Sequence, residues 1–297
     1  MTNVLASVID VLPANGVAPA DPSRIRPDGV LCRFDSEDDK RGKRNVWCVV
    51  FSDGPRPVVA FGHWARDIRE TVVLGSSDPM TPAEREKQRI AIEQAKAARD
   101  AQVRHQQELA KREANAQWQE SLPANEHHPY LQRKGITPAG ARERCGFLLV
   151  PLRDDKGRIC NLQRIRADGQ KRFLRGGRVQ GLYACLGGPV ADHIIVCEGW
   201  ATGKSLHDAT GLPVAIAFSA GNLVAISQTM RGKYPTARIT VAADNDLKPD
   251  GSNPGLRAAT AAARAVDGYV AVPPIAGDFN DYAAHGGADT FREASNA

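Results

Sequence analysis

The sequence predicts an α/β protein, and three features carry that expectation. From residue 193 onward, apolar strand-like runs at 193–197, 213–217, 238–243 and 269–272 alternate with helical stretches at 202–210, 221–231 and 254–266. Alternation of this kind forms a parallel sheet with helices on both faces. Ahead of it, runs at 146–152, 159–165 and 171–174 are joined by turn signals at Asp155–Gly157 and Asp168-Gly169, as in a mixed, hairpin-linked β segment. Further upstream, residues 81–120 contain no glycine and, after Pro82, no proline, which marks one long helix.

The remaining elements follow in chain order. Residues 1–28 read as an N-terminal arm with a short apolar stretch at 4–12. Residues 29–78 form a small β-rich module, because β-branched and aromatic runs at 29–34, 45–51 and 58–61 are separated by Asp-, Lys- and Gly-rich stretches. The 79–122 segment is a helical linker opened by the capping box Thr81-Pro82-x-Glu84. Its eight Lys/Arg and seven acids nearly cancel, as expected of a mostly solvated spacer. Residues 123–190 make the basic β subdomain and 191–297 the alternating domain.

Composition excludes several classes. With 42% hydrophobic and 25% charged residues in 297, the chain is expected to fold around a core and to hold about two domains of roughly 150 residues. No apolar run reaches the roughly 18 residues of a membrane helix, so no membrane partner is expected. The N-terminus carries Asp10 and no basic leader, which points to the cytoplasm. The six cysteines include no C-x-x-C pair, so no zinc site is expected.

In a parallel α/β sheet, ligands bind beyond the carboxyl ends of the strands. Acids stand there in this sequence. The first strand ends in Cys197-Glu198-Gly199, the third in Ala243-Asp244-Asn245-Asp246, and the fourth leads into Asp278-Phe279-Asn280-Asp281. Like charges a few ångströms apart repel by about 4 kcal/mol at an effective dielectric near 20. A cation relieves that repulsion, and oxygen-only ligands select a hard one, Mg²⁺ or Mn²⁺. Glu198, Asp244, Asp246, Asp278 and Asp281 are therefore the candidate metal residues, and such a cluster serves phosphoryl or nucleotidyl transfer.

Gly199-Trp200-Ala201-Thr202-Gly203-Lys204-Ser205 imitates a phosphate-binding P-loop. The required spacing G-x-x-x-x-G-K-[ST] puts a glycine where Glu198 stands, so the loop is one residue short. Lys204 is kept as a candidate phosphate contact without the NTPase reading.

The cations are unevenly spread. Residues 153–178 hold nine Lys/Arg against three acids, a net +6 in a chain whose total is +5. Arg153, Arg164, Lys171, Arg172, Arg175 and Arg178 are expected to line a groove for a nucleic-acid backbone.

Glu198-Gly199 followed by Asp244-x-Asp246 on alternating β/α structure resembles the Toprim domain shared by bacterial-type primases, topoisomerases of types IA and II and some nucleases. The order of Val150-Pro151-Leu152-Arg153-Asp154, Leu162-Gln163-Arg164, Arg172-Phe173-Leu174, His128-Pro129-Tyr130-Leu131 and Gly221-Asn222-Leu223 is similar to Toprim primases of plasmids, phages and integrated elements. That resemblance implies a Toprim-type sheet. It also implies a DNA primase that makes short RNA primers on single-stranded DNA from ribonucleoside triphosphates, with a replicative helicase as a further partner. It assigns catalysis to Glu198, Asp244 and Asp246. A Toprim nuclease, or a non-catalytic DNA-binding accessory, is the alternative. Where replicative primases carry an Asp four residues after the Glu, this chain has Thr202.

Overall fold

The computed structural model describes residues 2–286 except 40, 53, 64, 65, 67, 76–80, 190 and 191. The last stretch of the expected C-terminal domain, 287–297, and residues 76–80 and 190–191 at the other expected boundaries lie outside the described residues. The chain divides into two compact units, Met1–His105 and Gln106–Ala297.

The first unit contains helix α1 (Thr2–Ala14) and strands β1 (Cys32–Phe34), β2 (Val46–Phe51), β3 (Val58–His63) and β4 (Ile68–Val73). The strands form an antiparallel meander in the order β1-β2-β3-β4. Val8 and Leu12, one helical turn apart, bury against Phe34, Val46, Val50 and Phe61. Strand β4 has a weaker apolar signature than its neighbours, Ile68-Arg69-Glu70-Thr71-Val72-Val73, and its pairing with β3 defines it.

Helix α2 (Pro82–Gln119) opens on the capping box read from the sequence: the Glu84 amide donates to Thr81 Oγ1 at 3.2 Å and the Thr81 amide to Glu84 Oε2 at 2.9 Å. The boundary between the two units falls inside this helix. In the first unit, Gln88 is buried and exchanges hydrogen bonds with the backbone of Arg56. In the second, Ala110 and Ala114 are buried and Asn115 Nδ2 donates to the Ile159 carbonyl at 3.0 Å. Small side chains one turn apart let the helix approach the sheet closely.

The second unit has two five-stranded sheets. The first contains β5 (Leu122–Pro123), β6 (Arg142–Arg144), β7 (Phe147–Arg153), β8 (Ile159–Ile165) and β9 (Lys171–Phe173), antiparallel and in sequential order. Helix α3 (Pro129–Lys134) lies between β5 and β6 in sequence, with His128 Nδ1 accepting from the Tyr130 amide and left-handed Gly135 closing it.

The second sheet has the order β10-β12-β11-β13-β14. Its elements are β10 (Ala184–Leu186), β11 (His193–Cys197), α4 (Trp200–Thr210), β12 (Val214–Ile216), α5 (Leu223–Lys233), β13 (Arg238–Ala242), α6 (Pro254–Arg264), β14 (Tyr269–Ala271) and α7 (Phe279–Ala284). Four strands are parallel, and β10, which the sequence reading left in the preceding subdomain, joins as an antiparallel edge. Ile194, Val196, Ile239 and Val241 pack with residues of α5 and α6, whereas Ile195, Cys197 and Ala242 pack with Trp200, Leu206 and Phe279 of α4 and α7. Helices thus cover both faces.

The two sheets are stitched together. Arg153 and Tyr183 exchange backbone hydrogen bonds of 2.8 and 3.0 Å, and Lys233 Nζ donates to Tyr183 Oη and the Asp155 carbonyl. Fully buried Asn222 accepts from the Gly181 amide at 2.8 Å and donates to the Leu182 and Ala217 carbonyls at 2.9 and 2.8 Å. Among the described residues no helix is long and apolar enough to cross a membrane, and all six cysteines are free thiols.

Candidate active site

Glu198, Asp244 and Asp246 are placed by the ends of strands, and Asp278 and Asp281 by the start of a helix. Glu198 follows β11, and its carbonyl accepts from the Phe218 amide at 2.8 Å, which carries the parallel pairing one residue past the strand. Burial pushes the Glu198 carboxyl up, a backbone N–H from Ala220 opposes this, and the Asp246 charge adds to the rise. Asp244 follows β13. Burial, then the charges of Glu198, Asp278 and Asp246, push its carboxyl up to about 7. Its Oδ1 is buried and has no hydrogen-bond partner among the described residues.

The loop that carries Asp244 and Asp246 is held by the residue between them. Asn245 exchanges backbone hydrogen bonds with Gly277, and its Nδ2 donates to the carbonyls of Pro273 and Ile275. Asn253, which caps α6, donates to Asn245 Oδ1 at 2.9 Å. Gly255, in the first turn of α6, lies so close to the Asp244 carbonyl that a Cβ there would overlap it. Sequence reasoning missed Asn245, Asn253 and Gly255. An asparagine between two strand-end acids, and Asn-Pro-Gly opening a helix, were the available signals.

Asp278 and Asp281 form a reciprocal cap on α7. Asp278 Oδ1 accepts from the amides of Asn280 and Asp281, and its Oδ2 accepts from Thr202 Oγ1 at 3.0 Å. Asp281 Oδ2 accepts from the Asp278 amide at 3.2 Å and Oδ1 from Lys134 Nζ at 3.3 Å. The oxygens of both residues are thus hydrogen-bonded, and it is the Asp278 charge, not that of Asp281, that acts on Asp244.

Lys171 is a second cation on this side, beside Lys134. Burial, then Lys134, lower its pKa, and Asp278, Asp244 and Glu198 oppose that shift. Its Nζ stands 5.8 Å from the centroid of the Tyr130 ring, which stacks on Trp200. Lys204 is not brought to the group: it is buried on α4, and its ammonium pairs with Asp208 one turn on. Arg175 and Arg178 are exposed in the loop after β9. Arg153 donates to the Gly157 carbonyl and lies over the Trp118 ring. Arg164 and Arg172 face each other across β8 and β9.

Among the described residues no three His, Cys, Asp or Glu side chains close around one metal-sized point. The donor set nevertheless fits a hard divalent cation. It is all oxygen, its mutual repulsion adds to burial in raising the Asp244 carboxyl, and it leaves one buried Asp244 oxygen unpartnered.

The site is thus a parallel sheet flanked by helices, with acids beyond the carboxyl ends of its strands. Residues 193–289 match the family model of the Toprim domain. Over 86% of its length the chain is similar to two proteins of Escherichia coli named DNA primase TraC, at 29% and 30% identity. It spans 25% and 18% of the length of those relatives. Among solved structures, it is similar to the primase fragment of the bacteriophage T7 primase-helicase protein, with 18% identity and a TM-score of 0.44 over 56% of this chain and 73% of that one. It is also similar to a DnaG primase catalytic domain bound to single-stranded DNA, with 13% identity and a TM-score of 0.44 over 66% of this chain and 80% of that one.

Proposed function

We propose that the chain is the catalytic part of a DNA primase of plasmid, phage or mobile-element type, acting in the cytoplasm and making short RNA primers on single-stranded DNA. The observation that carries this reading is Asp244. It is a partly buried carboxylate with one unpartnered oxygen, set among Glu198, Asp246 and Asp278 at the strand ends of a Toprim sheet. The similarity to proteins named DNA primase supports the choice of reaction.

Asp244 and Asp246 would hold Mg²⁺ or Mn²⁺, with Glu198 and Asp278 alongside. When bound, the cation supplies Lewis-acid stabilisation of the transferring phosphoryl group. The raised Glu198 carboxyl is suited to accept the proton of the attacking 3′-hydroxyl. Lys171 faces the same acids and supplies positive charge to the triphosphate. Thr202 and the amides of Asn280 and Asp281 fix Asp278 by hydrogen bonds, so its orientation does not depend on substrate. A replicative helicase is the proposed partner class for template delivery.

The test offers ribonucleoside triphosphates, Mg²⁺ and a single-stranded DNA template. Short RNA products, absent with Asp244→Asn, support the proposal. Cleavage of labelled DNA without synthesis would replace it with a nuclease. Neither activity, together with retained DNA binding, would make the chain an accessory.

A further inference from the structure

Two of the free cysteines face each other in the first unit. The antiparallel register of β1 and β2 sets Cys32 directly opposite Cys48. Among the described residues no other strand pairing opposes two cysteines. Directly opposed residues share a face of the sheet. Cys48 is buried in the core that α1 covers, and Cys32 packs against the same cluster. Opposed Cα atoms of an antiparallel pair lie about 4.5 or 5.5 Å apart, depending on the kind of pair. A disulfide spans Cα separations of about 4.4–6.8 Å, so either kind is within reach of the bond.

The two thiols are unequal. Cys32 is half-buried on the edge strand, and its thiol donates weakly to the Val30 carbonyl at 3.7 Å. Cys48 is buried, and burial, then the neighbouring Cys32, pushes its thiol up to about 12. The thiolate is the form that attacks a disulfide. Cys32 is therefore the thiol that meets an oxidant first, and Cys48 the one that resolves the adduct. Strand β1 is three residues long and lies in the ladder beside β2 alone. The 17 residues from Cys32 to Cys48 include a loop that is already held in place, because Asp35 accepts from the amides of Gly42 and Arg44 at 2.8 and 2.6 Å.

We propose that Cys32 and Cys48 are a redox-active pair that closes to a cross-strand disulfide by exchange with a low-molecular-weight disulfide such as oxidised glutathione. The Cys32 thiolate attacks one sulfur of that disulfide, and one glutathione thiolate leaves. The Cys48 thiolate then attacks Cys32 Sγ, and the second glutathione leaves. Two protein thiols are oxidised, one disulfide is reduced to two glutathione thiols, and the two protein protons end on them. In a reducing compartment such a bond is transient and fits a redox-sensing modification. No residue of the carboxylate group takes part, so the pair is independent of the primase reading.

The experiment equilibrates the full chain with oxidised and reduced glutathione at several ratios, then quenches with acid, alkylates and digests it for mass spectrometry. Trypsin cuts between the two cysteines at Arg33, Lys40, Arg41, Lys43 and Arg44, so the bond is read as two joined peptides that are two hydrogens lighter than their sum. The folded chain should form this species at an equilibrium constant about thirtyfold or more above that of the urea-unfolded chain, since the native register holds the sulfurs together. The oxidised chain should melt roughly 5–10 °C higher, and dithiothreitol should reverse both changes. Cys32→Ser, at a half-buried edge position, should fold and gain nothing from the oxidant. Glutathione retained on Cys32 without a joined peptide at the most oxidising ratio would overturn the proposal. So would equal yield from the folded and unfolded chains, or joining of Cys32 to Cys145 or Cys185 in place of Cys48.

Discussion

The hydroxyl of Thr202, in the first turn of α4, donates to a carboxylate oxygen of Asp278 at 3.0 Å, joining the helix after β11 to the cap of α7. Both Asp278 oxygens are thereby hydrogen-bonded, and its charge stays beside Asp244. Thr202→Val keeps the volume and removes the donor. It should cost about 1.5–3 kcal/mol in urea unfolding, as for a hydrogen bond to a charged group. Thr202→Asp adds a like charge instead. Its melting temperature should fall without metal and recover on Mn²⁺ addition more than wild type does.

Asp244 sets a pH dependence. With its carboxyl raised to about 7, the folded state holds a proton that the unfolded state has lost by the time pH passes the ordinary range. Stability of the metal-free protein should therefore fall as pH rises toward 7, and Asp244→Asn should melt higher than wild type at pH 8. Metal must displace the same proton. Calorimetric Mn²⁺ affinity should rise from pH 6 to pH 8, by up to about tenfold per unit below the Asp244 pKa, and be lost in Asp244→Asn. Flat affinity across that range would remove Asp244 from the ligand set.

Gly255 tests how tightly the loop is positioned. Alanine improves an exposed helix by about 1 kcal/mol, but here the added methyl overlaps the Asp244 carbonyl. Gly255→Ala should lose about 1–3 kcal/mol as in overpacked sites, and Mn²⁺ affinity should drop with it. Serine should behave alike, because the clash is at Cβ.

Asn222 tests the join between the sheets. Its side chain satisfies backbone groups of Gly181, Leu182 and Ala217 with no exposure to water. Asn222→Ala leaves those groups unpaired and should cost about 2–4 kcal/mol, read as a lower urea midpoint. Asn222→Asp keeps the acceptor, removes the donors and buries a charge, and should be no better.

Lys204 tests the P-loop resemblance. Because its ammonium pairs with Asp208, Lys204→Met should leave primer synthesis within about threefold of wild type. ATP hydrolysis in the absence of nucleic acid, abolished by this change, would show a phosphate role that the Asp208 pairing does not suggest.

The parallel sheet and the positions of Glu198 and Asp244 were legible because strand periodicity fixes where strands end, and a strand end fixes where the next side chain points. Asp281 was legible in a different sense. An acid three residues after Asp278 is the spacing of a reciprocal helix cap, and that reading competes with metal ligation. The basic segment was read as one groove, although alternation along β9 already separates Lys171 from Arg172. Assigning absolute faces required knowing which side of β7 packs against α2, which no local pattern announces. Asn245 and Gly255 were not legible as site residues. Their partners, the Pro273 and Ile275 carbonyls and the Asp244 carbonyl, are brought near by packing between loops distant in sequence or on opposite sides of a turn.

The pairing of β9 with β8 also makes the short 166–170 turn a reading frame for the sheet. Gln163 faces Phe173, Arg164 faces Arg172 and Ile165 faces Lys171. Adding or removing one residue in that turn would shift β9 by one position, and a shift by one exchanges faces. Arg172 would then turn toward the carboxylates, Lys171 and Phe173 would turn away, and Phe218 would lose its aromatic partner. The turn tolerates changes of residue far better than changes of length, and length variants should be defective in both chemistry and packing even though every side chain they carry is native.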